Sequence, residues 1–169
     1  MIYWQIVDLE TTGLSPNNEE IAELALITCV NTQIIGIHHQ FYQISKMGEK
    51  AGQVNGLSIK QLDGWIRFSS NENLTLLRSL IKHPLFAHNA PFDAGFLIAQ
   101  NVIKDSYPVI DTVKLCKKSN KKLENNKLQT WVNHYKLSNG VAHTALNDAF
   151  SLYRLIVLMG WQIYAKVGV

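Results

Sequence analysis

Val7-Asp8-Leu9-Glu10-Thr11-Thr12-Gly13 closes an apolar run that begins at Ile2. The run is dense in β-favouring side chains and ends in a Thr-Thr-Gly turn, which predicts a buried strand over Ile2 to Leu9. Asp8 and Glu10 stand two residues apart, so on a strand both carboxylates leave the same face. Same-side acids among Ile6, Val7 and Leu9 repel one another unless a cation lies between them, and a buried negative charge without a partner is expensive.

Working outward, Glu20 to Val30 predicts a second strand, although Ile21 to Leu26 also fits the start of a helix. Asn31-Thr32 makes a tight turn and Gln33 to Gln43 a third strand, so the chain opens as an antiparallel meander. Beyond residue 44 the pattern changes. Asn55-Gly56-Leu57-Ser58 reads as a turn followed by a short helix, and Asn73 to Lys82 as an amphipathic helix. Leu85 to His88 is a short strand, and Pro91 suits the first turn of a helix running to about Asn101. Val109 to Asp111 predicts a last strand, with helices expected near 112–118, 126–135 and 144–159. Strands that alternate with helices add in parallel to the meander. The expectation is one mixed α/β domain over 1–169, with a five-stranded sheet flanked by helices.

Composition limits the possible functions. With 47% hydrophobic and 17% charged residues, the chain is expected to fold around a packed core. The net charge of +3 is too small to identify a partner. Its distribution says more, because Lys114, Lys117, Lys118, Lys121, Lys122 and Lys127 cluster between two apolar segments. That run is either a solvated face or a patch that contacts phosphates. Cys29 and Cys116 are expected to be reduced structural thiols. The strand pattern starts by Ile2, leaving no room for a targeting peptide, and no polymerase-binding tail is expected after the last helix. The apolar C-terminal stretch is interrupted by Ser151, Arg154 and Gly160, so it reads as a buried helix and not a membrane span. A cytoplasmic location follows as the default.

Two further segments carry acids. His88-Asn89-Ala90-Pro91-Phe92-Asp93 places Asp93 in the first turn of a helix, where amides and dipole favour its charge and where Asn89 is a candidate cap. His143-Thr144-Ala145-Leu146-Asn147-Asp148 separates a histidine and an acid by five residues, about 140° on a helix. The two fit one site if the helix starts after His143 with Thr144 as N-cap. Carboxylate ligands without a Cys/His cage indicate a hard cation, Mg²⁺ or Mn²⁺. Two such ions can activate water and stabilise a leaving oxygen at phosphorus, and an imidazole can take the proton.

These three segments resemble the exonuclease motifs of the DEDDh family, which contains the proofreading subunit of bacterial DNA polymerase III. The likeness includes Asn55-Gly56-Leu57 and Ile110-Asp111-Thr112 between the motifs. It implies a ribonuclease H-like fold and a 3′→5′ exonuclease that releases nucleoside 5′-monophosphates, single-stranded DNA being the favoured substrate. By motif position, Asp8, Glu10, Asp93 and Asp148 look like the acids that hold two divalent cations, with Asp8 bridging, and His143 looks like the general base. The resemblance also implies that Thr11, Thr12, Leu14, Asn55 and Phe92 approach the terminal nucleotide. Backbone amides near Thr11 and Thr12 are expected to bind its 3′-hydroxyl, and Leu14 to pack on its base. Some relatives carry histidine at the position of Asn55. Phe92 and Phe96 are also explained by core packing at helical spacing. The resemblance assigns no metal role to Asp111, expected to cap the following helix, or to His88, expected to be buried and hydrogen-bonded.

An exoribonuclease that trims RNA ends or short oligoribonucleotides is the rival reading. Oligoribonuclease relatives usually carry methionine where this chain has Thr11. A binding module without catalysis is the other class, and the complete set of acids weighs against it. A DNA polymerase partner, a homodimer and solitary action all remain open.

Overall fold

The computed structural model describes residues 1–137 and 143–166. Its sheet is built from β1 (Tyr3–Thr11), β2 (Ile21–Val30), β3 (Gln33–Phe41), β4 (Leu85–Ala87) and β5 (Val109–Asp111) in the order β3-β2-β1-β4-β5. The first three strands form the antiparallel meander, and β4 and β5 add in parallel beside β1. Ile21 to Leu26 is therefore strand, settled by its pairing with β1 and not by its own periodicity. Asn31 takes a left-handed conformation in the hairpin turn (φ 52°), and its carbonyl accepts the Trp4 indole N–H at 2.7 Å.

Residues alternate along β1 between two cores. Trp4 and Ile6 enter one with Ala25, Ile27 and Phe86. That side is covered by α4 (Thr112–Lys118), α5 (Leu128–Tyr135), α6 (Ala145–Met159) and a 3-10 turn (Trp161–Lys166) that the sequence pattern did not predict. Val7 and Leu9 enter the other core, beneath α2 (Asn71–Leu80) and α3 (Ala90–Ala99). Buried Gln5 ties this layer to the sheet. Its amide donates to the Thr28 hydroxyl and the Leu80 carbonyl at 2.9 and 2.8 Å, and its carbonyl accepts the Lys82 and His83 amides at 2.9 and 3.0 Å. A buried amide with every group engaged holds the end of α2 against β1 without an unmet polar group.

The region after β3 departs from expectation. The short helix α1 (Glu49–Asn55) precedes Gly56 instead of following it. Gly56 ends the helix in the left-handed conformation (φ 71°), and its N–H bonds the Gly52 carbonyl. This is the glycine terminator of a helix, so Asn55-Gly56 marks an end where a start was expected. At the other end, the Gly48 amide donates to the Thr12 carbonyl at 2.9 Å, and a Cβ at residue 48 would lie 2.6 Å from that oxygen. Only glycine lets α1 approach the loop after β1 so closely.

Both cysteines are buried and unpaired, and burial pushes each thiol up to about 12. No helix among the described residues is long and apolar enough to cross a membrane.

Candidate active site

The three parallel strands end on one edge of the sheet, the usual place for ligands in open α/β sheets. That edge brings the sequence-distant acids together. Asp8 and Glu10 project from the last half of β1 on the side covered by α6. The β1–β2 register shifts between Glu10 and Thr11, an irregularity of the kind that re-aims side chains beside active sites.

Asp93 lies in the first turn of α3 and is buried at 3% exposure. Its Oδ1 accepts the Leu9 amide of β1 at 3.1 Å, so a strand amide, in addition to the helix end, holds this carboxylate. Asn89 occupies the N-cap position in a left-handed conformation (φ 70°), but its side chain makes no capping bond. The Ala90 amide instead approaches Asp111 Oδ1 at 3.4 Å, and the same oxygen accepts the Val113 amide at 3.0 Å. Asp111 thus caps α4, as expected, and also reaches α3. His88 is engaged at both ring nitrogens, with the Thr112 hydroxyl at 3.0 Å and the Asn126 carbonyl at 2.7 Å. Burial lowers its pKa.

Helix α6 begins at Ala145, after Thr144 in the N-cap position, but the threonine hydroxyl makes no capping bond. Asp148 reaches back instead, and its Oδ2 accepts the His143 amide at 3.1 Å. His143 holds a left-handed backbone (φ 65°), which places the exposed imidazole beside the acids. Ala145 and Ala149 bury their methyl groups in this first part of α6, while Leu152, Leu155 and Ile156 fill the space further along. The small residues let the helix lie close to β1 at the level of Asp8 and Glu10.

Ligand atoms of Glu10, His143 and Asp148 all lie within 4.8 Å of one another. Asp8 sits among the remaining acids. Its pKa is raised well above its ordinary value, first by burial and then by the charges of Asp93, Asp148, Glu10 and Glu23. Glu10 is pushed up to about 7, first by burial and then by Asp148 and Glu23, against a hydrogen bond from Asn55. Burial likewise raises Asp93 and Asp148, partly offset by the amides of Leu9 and His143 respectively. A pocket of acids in mutual repulsion is one whose charged form a cation would favour.

Glu23 escaped the sequence reading. It is 1% exposed, stands opposite Glu10 in the β1–β2 register, and meets His39 Nε2 at 2.8 Å. The signal was present, because Glu23 interrupts an apolar strand just as Asp8 does.

A cleft of about 530 Å³ opens beside the acids and contains all five residues expected at the terminal nucleotide: Thr11, Thr12, Leu14, Asn55 and Phe92. Leu14 is 86% exposed at its lip. Asn55 Nδ2 donates to the Thr11 carbonyl at 3.2 Å, bridging α1 to β1. Phe96 is buried in the core, while Phe92 packs on it with ring centroids 5.1 Å apart and still lines the cleft. One expectation fails in part. The Thr12 amide donates to the Glu20 carbonyl at 2.9 Å, so it is not open to a substrate hydroxyl. The Thr12 side chain is committed too, donating to Glu19 at 2.7 Å and accepting the Glu20 amide at 2.9 Å.

Among known proteins, the chain is 31% identical over 170 residues to the PolC-type DNA polymerase III of Thermotoga maritima, covering 97% of this chain and 12% of that one. It is 27% identical over 173 residues to the DNA polymerase III subunit epsilon of Buchnera aphidicola, covering 91% of this chain and 69% of the subunit. The chain thus spans about an eighth of the PolC-type relative's length. Exonuclease I shares its fold with a TM-score of 0.80 at 14% identity, over 95% of this chain and 41% of the other. Exonuclease X in complex with 5′-overhanging duplex DNA gives a TM-score of 0.73 at 19% identity, over 98% and 99% of the two chains. The fold is therefore ribonuclease H-like, as expected. Residues 6–156 match the RNase T family model, described as exonuclease. The chain belongs to the RNase T exonuclease family.

Proposed function

We propose that this exonuclease removes nucleotides from the 3′ ends of nucleic acid, with single-stranded DNA preferred, and releases nucleoside 5′-monophosphates. The observation that carries the reading is the gathering of Glu10, His143 and Asp148 within 4.8 Å, with Asp8 and Asp93 beside them. The donor set fits hard divalent cations, because it is carboxylate oxygen with a single imidazole and no thiolate. The raised pKa values of the four acids support the same fit, since a cation would relieve their repulsion. Asp8, Glu10, Asp93 and Asp148 would hold two such ions, Mg²⁺ or Mn²⁺. When bound, they supply charge stabilisation and water activation at phosphorus.

The protein's own groups divide the remaining work. Exposed His143 takes the proton of the attacking water, held in reach by the hydrogen bond that its backbone amide donates to Asp148. The Leu9 amide fixes Asp93. Leu14 and Phe92 flank the base of the terminal nucleotide, and Asn55 orients both Glu10 and the Thr11 carbonyl. Matches to segments of polymerase III proteins support a role beside a DNA polymerase in the cytoplasm, in proofreading or repair.

The test is a set of 5′-labelled DNA and RNA oligomers of matched sequence, incubated with Mg²⁺ or Mn²⁺. The reading predicts a ladder shortening from the 3′ end, faster on DNA, with 5′-monophosphates as product. Shortening from the 5′ end, or no release with either ion, would overturn it, and a strong preference for RNA would reverse the substrate assignment.

A further inference from the structure

The acid cluster lies between two clefts of opposite character. The first is the one lined by Leu14, Val54 and Phe92. The second, of about 840 Å³, is lined by His143 and Asp148 together with Asn126, Gln129, Lys117 and Lys127. Glu10 belongs to the first lining and Asp148 to the second, so the reacting centre is their common wall. Apart from Glu10 and Asp148, the first cleft carries Glu19 and Glu49 against Lys50, and the second carries only the two lysines as formal charges. An exonuclease acting at a chain end needs room for one nucleotide on one side of the scissile phosphate and for a polyanion on the other. A partly apolar, net acidic cleft accepts a single base and sugar but repels a run of phosphates. A basic groove does the reverse.

We infer that the uncleaved strand leaves the reacting centre through the second cleft, with Lys117 and Lys127 neutralising its backbone phosphates. The inference rests on the exonuclease reading and deepens it. It also divides the lysine cluster. Lys114 lines a different hollow with Lys104 and Asp105, and Lys118 and Lys121 line another with Tyr135 and Tyr164. All six lysines of the cluster are exposed, but two of them border the groove that contains His143 and Asp148.

The experiment compares K117Q/K127Q with K118Q/K121Q and the parent. Binding of a fluorescent oligothymidylate is followed by anisotropy over a salt series, with Ca²⁺ replacing Mg²⁺ to hold back cleavage. Each lost phosphate contact lowers the logarithmic salt slope by ~0.7 on single strands, so K117Q/K127Q should lose about 1.4 and K118Q/K121Q nothing. Hydrolysis of the p-nitrophenyl ester of thymidine 5′-monophosphate, which has no strand beyond the reacting phosphate, should be unchanged in both variants. A parent-like slope in K117Q/K127Q, or an equal fall in both variants, would overturn the path while leaving the exonuclease reading intact. A parent unable to cleave either the ester or an oligonucleotide would remove that reading, and this inference with it.

Discussion

Four residues on one face of β1 divide into two pairs that behave in opposite ways. Trp4 and Ile6 are fully buried and pack with Ala149, Leu152 and Leu155 of α6. Asp8 and Glu10, the next two residues on that face, meet Asp148 and His143 near the start of the same helix. The packed half fixes the spacing of strand and helix, so the charged half cannot relieve its repulsion by drawing apart. Cohesion in one region therefore stores the electrostatic demand in the other. This is the division between rigid scaffold and pre-arranged site that a charge-stabilising catalyst needs.

Substitutions in the two halves should separate activity from stability. Asp8→Asn removes a repelling charge that packs no core, and should lower the rate of nucleotide release by about a thousandfold, the order expected when several kcal/mol of metal-ion stabilisation are lost. In cation-free buffer its melting temperature should match or exceed the parent's. Parent-like turnover, or a fall in melting temperature of the size seen for a core residue, would contradict the division. Leu152→Ala should do the converse. It should reduce unfolding stability in urea by about 2–5 kcal/mol, while the folded fraction keeps its activity. An activity loss larger than the unfolded fraction would show that packing and chemistry are not separable here.

His143→Gln sharpens the charged half from within. In the proposed role of general base, its loss should slow turnover by about a hundredfold. Mg²⁺ affinity, measured calorimetrically, should remain close to the parent's, because the four carboxylates would still hold the ions. A large fall in that affinity would make the imidazole a metal ligand, a role that its distance from Glu10 and Asp148 also permits.

The charged half of β1 was more legible in the sequence than the elements around it. Acids inside apolar runs are rare for a physical reason, and the two-residue spacing of Asp8 and Glu10 translates directly into a shared face. The meander was legible because Asn31-Thr32 leaves room only for a tight turn. Helix α1 was not, since no buried residue marks its face and its N-cap, Gly48, offers no side chain. Its placement depends on the contact between Gly48 and Thr12, which no local pattern encodes. Glu23 interrupts an apolar run as Asp8 does, but only the register that sets it opposite Glu10 ties it to the site. The caps at Asn89 and Thr144 were expected from residue type, but Asp111 at the end of β5 meets the first amide of α3, and Asp148, in the first turn of α6, reaches back to the His143 amide. The lysine cluster looked uniform in the sequence, and the fold distributes five of its six members among three separate hollows.

The central claim is that the acids on the last half of β1 and their partners share divalent cations. For Glu10, whose pKa moves from an ordinary 4.5 to about 7, the folded state keeps its proton while the unfolded state loses it. Ionisation therefore destabilises the fold increasingly as pH rises through that window, and the effect is complete above it. A cation that binds the ionised acids reverses the penalty and competes with protons for them. The decisive measurement is the rise in melting temperature produced by saturating Mg²⁺ at two pH values. The account predicts a shift of about 5–10 °C near pH 8, a much smaller one near pH 5, and little at either in Asp8→Asn/Asp148→Asn. Equal shifts at both pH values, or none near pH 8 with Mg²⁺ or Mn²⁺, would contradict it.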